Sequence, residues 1–333
     1  MINKKAALEL ISASGAFAPF RWITRGNVLV LMYHRFGHIN DGVTVPPEAF
    51  ARQVAYLNAH YRIVPLSVIA DHLKAGEKLP RGLAVITVDD GYNDFYDAAF
   101  PILRKVGATA TVFLVTDFVS QQAWMPADRA AFLTAQAAGG TYRLEIGRER
   151  VEFTLGDEAS RDAAAGRINM ALLTIPHDDR PEATLGVARA LRIALPATPP
   201  KEFGALRWNE VREMAAAGIE FGSHTVTHAM LSQVSEEKMR REVADSRAQI
   251  EDELGRPADM LSYPNGEMND RVREAVIQAG YRGAGSSVPG FNDAQVDPYT
   301  IRRIYAETDL PHFVQTTSGC EQVKYQLRNL ARA

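Results

Sequence analysis

Leu83-Ala84-Val85-Ile86-Thr87-Val88-Asp89-Asp90-Gly91 decides the fold: an almost wholly apolar run that stops at two adjacent carboxylates and a glycine. A run without polar alternation reads as a strand covered on both faces, which is the habit of parallel sheets. Upstream, Val28-Leu29-Val30-Leu31-Met32-Tyr33 is a second such run, ending at His34-Arg35-Phe36-Gly37; downstream, Ala110-Thr111-Val112-Phe113-Leu114-Val115 is a third. Helical spacing fills the gaps. Pro47 to Ala59 places Phe50, Val54 and Leu57 on one face, Leu66 to Leu73 has Ser67 as its expected cap, and a helix from about Asp94 to Val106 is stopped by Gly107. This β-α-β alternation predicts parallel strands with helices outside. In such sheets and barrels the chemistry sits at the carboxyl ends of strands, where His34, Asp89 and Asp90 all fall.

Residues 117 to about 205 break the rhythm. Trp124 to Ala138, Ala159 to Leu173 and Pro181 to Ala194 read as helices, and Tyr142–Ile146 with Arg150–Thr154 alternates in period two around Gly147, as a hairpin does. With the stiff Pro196-Ala197-Thr198-Pro199-Pro200 segment, this region is expected to be an insertion or cap that shapes a cleft. The alternation then resumes: helix Trp208 to Ala217, strand Ile219 to Gly222, helix Ser235 to Leu254, strand Asp259 to Tyr263, helix Asp270 to Ala279, and last strands Tyr281 to Ser286 and Tyr299 to Tyr305.

Gly222-Ser223-His224-Thr225-Val226-Thr227-His228 carries two imidazoles four residues apart. Such a pair can converge on one metal from one face of a helical turn. Joined to Asp89 and Asp90, it supplies two histidines, a carboxylate ligand and a spare carboxylate to act on the metal's water, the equipment of metal-assisted hydrolysis. Adjacent carboxylates repel, and a cation beside them relieves the repulsion. Each segment alone has a plainer reading, as surface loop histidines and as an Asp-Asp-Gly turn.

Thr87 to Gly91, Ser223 to His228 and Ser262-Tyr263-Pro264-Asn265-Gly266 resemble, in that order, the first three motifs of the polysaccharide deacetylase (NodB-homology, carbohydrate esterase family 4) family. The likeness spans roughly residues 26 to 115 and 205 to 306. It implies an α/β fold, a distorted (β/α) barrel of about seven parallel strands. The implied activity is metal-dependent removal of the N-acetyl group from an amino sugar of a cell-envelope or exopolysaccharide glycan or its precursor, releasing acetate. By the resemblance, Asp89 is the general base, and Asp90, His224 and His228 hold a divalent metal: Zn2+ first, with Co2+ or Ni2+ as substitutes. The turn Tyr263-Pro264-Asn265-Gly266 is the expected source of an N–H for the oxyanion. Ser262 stands where many members have an arginine that orients the catalytic aspartate. Arg302 or Arg303, in the expected last strand, is its candidate replacement, with Arg303 preferred and a surface ion pair the equal alternative. The family's Asp-Trp and Leu-x-His motifs are not clear in this chain. Tyr33-His34 resembles branches with permuted motif order, in which a Tyr-His after the first strand supplies the general acid; His34 is thus the expected acid and His312 the alternative. Tyr92 and Trp208 are candidates to stack on a sugar ring, with ordinary core packing the preferred reading for Trp208. His38, His60, His72 and His177 join no constellation and read as surface or loop residues. The same site would also serve another amide or an O-acetyl ester, and a catalytically inactive glycan-binding module is the non-enzymatic reading.

The 333 residues, 46% hydrophobic and 23% charged, have the composition of a globular protein, and a net charge of -3 gives nucleic acid no electrostatic foothold as partner. The single cysteine, Cys320, excludes an intrachain disulfide and fits a reducing compartment. Residues 1–25 read as an N-terminal helix or surface segment, and 26–333 as the catalytic domain. Glu9, Arg21 and Arg25 disfavour a cleaved signal, so the expected location is the cytoplasm or a membrane surface touched by that segment. The expected partner is an N-acetylated glycan or a lipid-linked sugar.

Overall fold

The apolar runs become strands because only a sheet layered between helices covers both of their faces. The computed structural model describes residues 4–39, 42–121 and 123–324; the start of the expected N-terminal segment, with the Lys4 and Lys5 side chains, lies outside the described residues. Helices α1 (Lys4–Ala13) and α2 (Ala18–Thr24) precede β1 (Leu29–Tyr33). A short parallel pair, β2 (Arg35–Phe36) and β3 (Thr44–Val45), leads into α3 (Pro47–His60), β4 (Arg62–Ile63), α4 (Leu66–Lys74) and β5 (Leu83–Val88). A wide turn over Phe95–Ala99 opens α5 (Phe100–Val106), and β6 (Thr111–Leu114) follows.

The inserted region then contributes α6 (Thr116–Gln121), α7 (Pro126–Gln136), the antiparallel hairpin β7 (Gly140–Ile146) and β8 (Glu149–Leu155), α8 (Glu158–Leu173) and α9 (Arg180–Leu191). The chain returns through α10 (Trp208–Ala216), β9 (Glu220–Ser223), α11 (Glu236–Leu254), β10 (Met260–Ser262), α12 (Asp270–Gln278), β11 (Gly283–Gly285), β12 (Ile304–Tyr305) and α13 (Leu310–Thr317).

The main sheet runs β11-β10-β9-β6-β5-β1-β12, seven parallel strands, with β4 added beside the start of β5. Every residue of β1 and β5 is buried. The sheet curls until its edges meet: β12 pairs with β1, while Ile301 bridges Gly285 of β11. The result is a distorted (β/α) barrel whose seam is interrupted at Arg302 and Arg303.

Ser67 does not cap α4. It lies inside the helix, and the Leu66 and Ser67 N–H groups donate to the Glu220 carboxylate at 3.0 and 3.3 Å. A side chain from β9 thus satisfies helix-start donors that a local cap would otherwise take. The inserted region has its own core, in which Leu144, Ile146, Val151 and Phe153 of the hairpin pack on Ile168 and Leu172 of α8 and Val187 and Leu191 of α9. At the other end of the molecule α1 packs against α13, and Phe17 is buried with Val314 and Cys320. Among the described residues no helix is long and apolar enough to cross a membrane.

Candidate metal centre

Strict alternation at the end of β5 would send Asp89 and Asp90 to opposite faces. The backbone prevents this: Asp90 takes φ +76° and Gly91 φ +91°, and the Gly91 N–H bonds the Asp89 carbonyl at 3.0 Å. A Cβ on Gly91 would stand 2.8 Å from Leu114, so both the turn and the close strand contact require glycine. Both carboxylates therefore face the end of β9. Asp90 Oδ1 lies 3.6 Å from Nε2 of His224 and from Nε2 of His228, and Asp89 Oδ2 lies 3.9 Å from His224 Nε2.

The histidine pair does not sit on a helical turn as its spacing suggests. It rides on a loop in which Thr225 (φ +70°) and His228 (φ +57°) are left-handed. Such a loop needs tethers, and Glu242 of α11 supplies them: its carboxylate accepts from the Val226 and Thr227 N–H groups, both at 2.9 Å, and from the Thr227 hydroxyl at 2.5 Å. Ser223 Oγ accepts from the Thr225 N–H at 3.0 Å. His224 Nδ1 lies 2.7 Å from the Ser262 carbonyl. A carbonyl only accepts, so Nδ1 carries the proton and Nε2 presents its lone pair to the centre.

Asp90, His224 and His228 each offer one ligand atom, all within 4.8 Å of one another. Burial pushes both imidazoles down to about 4 against the pull of Asp89, so they are neutral near pH 7. Burial pushes the Asp90 carboxyl up; His34 and His224 oppose this, and the Asp89 charge adds to it. Two bare nitrogens and a carboxylate crowded by another carboxylate form a donor set that fits a divalent cation.

Asp89 is held separately. Arg303, 1% exposed, forks onto it with N–H···O distances of 2.7 and 2.9 Å. The Ser262 hydroxyl donates to Asp89 Oδ2 at 3.1 Å and accepts from Arg303 at 2.8 Å, while Arg303 Nε donates to the Ser286 carbonyl at 3.0 Å. Gly285 makes room, since a Cβ there would stand 3.0 Å from the Arg303 side chain. Burial would raise the Asp89 carboxyl, but Arg303, with help from His224, reverses this and holds it below the usual carboxylate range.

His34 stacks on Tyr305, with ring centroids 5.9 Å apart, and has an electrostatic influence on Asp89, Asp90 and His228. His312 is bound to Asp309 at the start of α13. Tyr92 cannot stack on a sugar: it is buried, its hydroxyl donates to Asp128 at 2.8 Å, Arg35 covers one ring face at 4.0 Å, and Phe118 abuts it edge-on. Trp208 is half-buried against the core, with Nε1 bonded to Ser120. The 263–266 turn contributes less than its four residues suggest. Tyr263 is buried, its N–H serves Gly285 and its hydroxyl serves Tyr299; Pro264 has no N–H; the Gly266 N–H closes the turn on Tyr263. That leaves the Asn265 N–H.

Two residues escape the sequence reading. Glu242 is a charge on the buried stripe of α11 formed by Met239, Val243, Ser246 and Ile250, which is the signal that singles it out. His177, read as a surface or loop residue, is half-buried, and its Nε2 lies 3.0 Å from Thr227 Oγ1 in the loop that carries His224 and His228.

The family model for polysaccharide deacetylase matches residues 76–284. The Bacillus subtilis (strain 168) protein YxkH is 21% identical over 278 residues, covering 83% of this chain and 70% of its own. The Streptococcus pyogenes deacetylase PplD superimposes with a TM-score of 0.60 at 19% identity, covering 87% of this chain and 97% of its own. IcaB from Ammonifex degensii superimposes with a TM-score of 0.58 at 18% identity, over the same shares of the two chains.

Proposed function

The chain belongs to the polysaccharide deacetylase family, and we propose that it hydrolyses the N-acetyl group of an amino sugar in a cell-envelope or exopolysaccharide glycan or its precursor. One observation carries this reading: an ionised, arginine-clamped Asp89 stands 3.9 Å from His224 Nε2 and outside the three-ligand cluster. A binding module has no use for a spare carboxylate kept charged there.

Asp90, His224 and His228 would hold a divalent cation, Zn2+ in this reading, with Co2+ or Ni2+ able to replace it. When bound, the cation supplies Lewis-acid polarisation of the acyl carbonyl and acidifies water. Asp89 receives the water's proton. Oδ2 accepts from Arg303 and Ser262 but Oδ1 from Arg303 alone, so Oδ1 keeps a lone pair for that proton. Arg303 positions the base and keeps it ionised. The Asn265 N–H is our choice of oxyanion donor. The leaving amine needs a proton, and His34, electrostatically in touch with both aspartates, is the group we assign to deliver it.

The test is product analysis with metal-loaded protein on N-acetylglucosamine oligomers and, in parallel, on an O-acetylated sugar. Equimolar acetate and free amine from the oligomers support the reading. Acetate from the ester alone moves the activity to esters, and no release from any acetylated sugar leaves a binding module.

A further inference from the structure

A cavity of about 540 Å³ opens at His228 and Asn265 and extends beneath the inserted region. Its walls are apolar where Phe118, Trp124, Met125, Leu172 and Leu173 line it. Two arginines line the same space without a carboxylate partner among the described residues. Arg129 of α7 makes no hydrogen bond or ion pair among the described residues, and its Nε is buried and unpartnered. Among the described residues Arg180 of α9, 8% exposed, bonds only to neutral acceptors: the Leu173 and Ile175 carbonyls at 3.2 Å, Gln233 at 3.1 Å and the Met230 sulfur. The acids on the wall do not answer them, since Asp178 is paired with Lys238, and Asp117 is bonded to Gln121 at 2.9 Å.

His177 brings a second unsatisfied polar atom to the wall, sealed beneath the surface of the cavity. The only proton of the Thr227 hydroxyl goes to Glu242, because a carboxylate only accepts, so the contact from His177 Nε2 must be a donation to Thr227. His177 Nδ1 is then a bare lone pair, and it is buried with no partner. Buried polar groups are ordinarily satisfied, and an uncompensated guanidinium among apolar walls is costly. A guanidinium without a carboxylate on an apolar cavity next to a metal site describes a ligand that carries an oxyanion on an apolar group.

We propose that this cavity is the specificity half of the substrate site. On the deacetylase reading above, it takes an amino sugar whose phosphate ester joins it to an apolar or aromatic group, with the anion on Arg129 and the carrier along Phe118, Trp124 and Leu172. Two sources share this chemistry, a lipid-linked sugar phosphate and a nucleotide-linked sugar.

Calorimetric titration of the full chain with n-octyl phosphate, UMP and the neutral n-octyl glucoside tests the proposal, in wild type, Arg129→Gln and Arg129→Lys. At least one of the two phosphates is expected to bind, with affinity lowered about tenfold or more in Arg129→Gln, as for one charge-assisted hydrogen bond, and partly restored in Arg129→Lys. Octyl phosphate alone identifies a lipid carrier and UMP alone a nucleotide. Octyl glucoside binding as well as the phosphates, phosphate binding indifferent to Arg129→Gln, or no phosphate binding would each overturn it. Acetate release from N-acetylglucosamine oligomers on the same preparations separates the two readings. Release without phosphate binding removes only the present inference. Arg129-dependent phosphate binding in a protein that releases no acetate from any acetylated sugar removes only the deacetylase.

Discussion

Asp89 and Arg303 form a buried ion pair, and removing one partner from such a pair strands the other charge. Arg303→Met should cost about 3–5 kcal/mol of stability, read from urea unfolding. Arg303→Lys should cost less, because it restores the charge though not the fork. Three buried histidines lower the stability of the metal-free chain in acid, while Asp128, pushed up to about 7 by burial, and Asp90, also pushed up, work in the opposite direction over part of the same range. His224, His228 and His177 are each pushed down to about 4 by burial, against about 6.5 in an unfolded chain. Between those values the unfolded state binds more protons at these three sites, so their contribution to stability falls as pH falls and, three against two, outweighs the carboxylates. The melting temperature of metal-free protein should drop from pH 6.5 to pH 4, and a flat profile would remove neutral histidines from the account. Much of this chemistry is legible in the sequence, since Asp89, Asp90, His224 and His228 stand where strands end. Alternation could say only that one of Arg302 and Arg303 faces inward. The part played by Ser262, a short hydroxyl bridging base and arginine, depends on a contact across the barrel that no local pattern encodes.

The elements explain why two histidines on an irregular loop can act as ligands. Glu242 on α11 collects two N–H groups and a hydroxyl from residues 226 and 227 and so fixes the approach of His228. Glu242→Gln keeps the shape and loses part of this tether; metal affinity should fall about tenfold to a hundredfold, the usual range for partners of ligands, as measured by competition with a chelating dye. The strands and most helices follow from apolar runs, caps and glycines, because those signals are local. Ser235 caps α11 by accepting from the Lys238 N–H, while Ser67 caps nothing because Glu220 already fills the position. The helical reading of the His-x-x-x-His spacing fails for a related reason: two left-handed residues break the turn, and tertiary bonds stabilise them.

At the scale of the molecule, the barrel presents one catalytic end, and the inserted region covers part of it with its own packed core. Insertion and hairpin are legible from the break in rhythm, but what they enclose is not, because Arg129, Arg180 and His177 meet the barrel loops only in three dimensions. The opposite question concerns α1 and α2, which leave Leu10, Ile11, Trp22 and Ile23 exposed, Trp22 by 64%. If this surface touches a membrane, as we propose, the chain should sediment with vesicles containing anionic lipid, and Trp22→Ala with Ile23→Ala should release it; equal sedimentation of the double variant would remove that contact. The central claim is narrower: a cation held by Asp90, His224 and His228, served by Asp89, removes an acetyl group. Acetate release from N-acetylglucosamine oligomers, followed as zinc is titrated into metal-stripped wild type and Asp89→Asn, tests it most directly. The account predicts that release in wild type rises to a plateau at one zinc per chain, and that Asp89→Asn binds the same single zinc yet releases almost nothing. Release that ignores zinc, or that survives in Asp89→Asn, would contradict it.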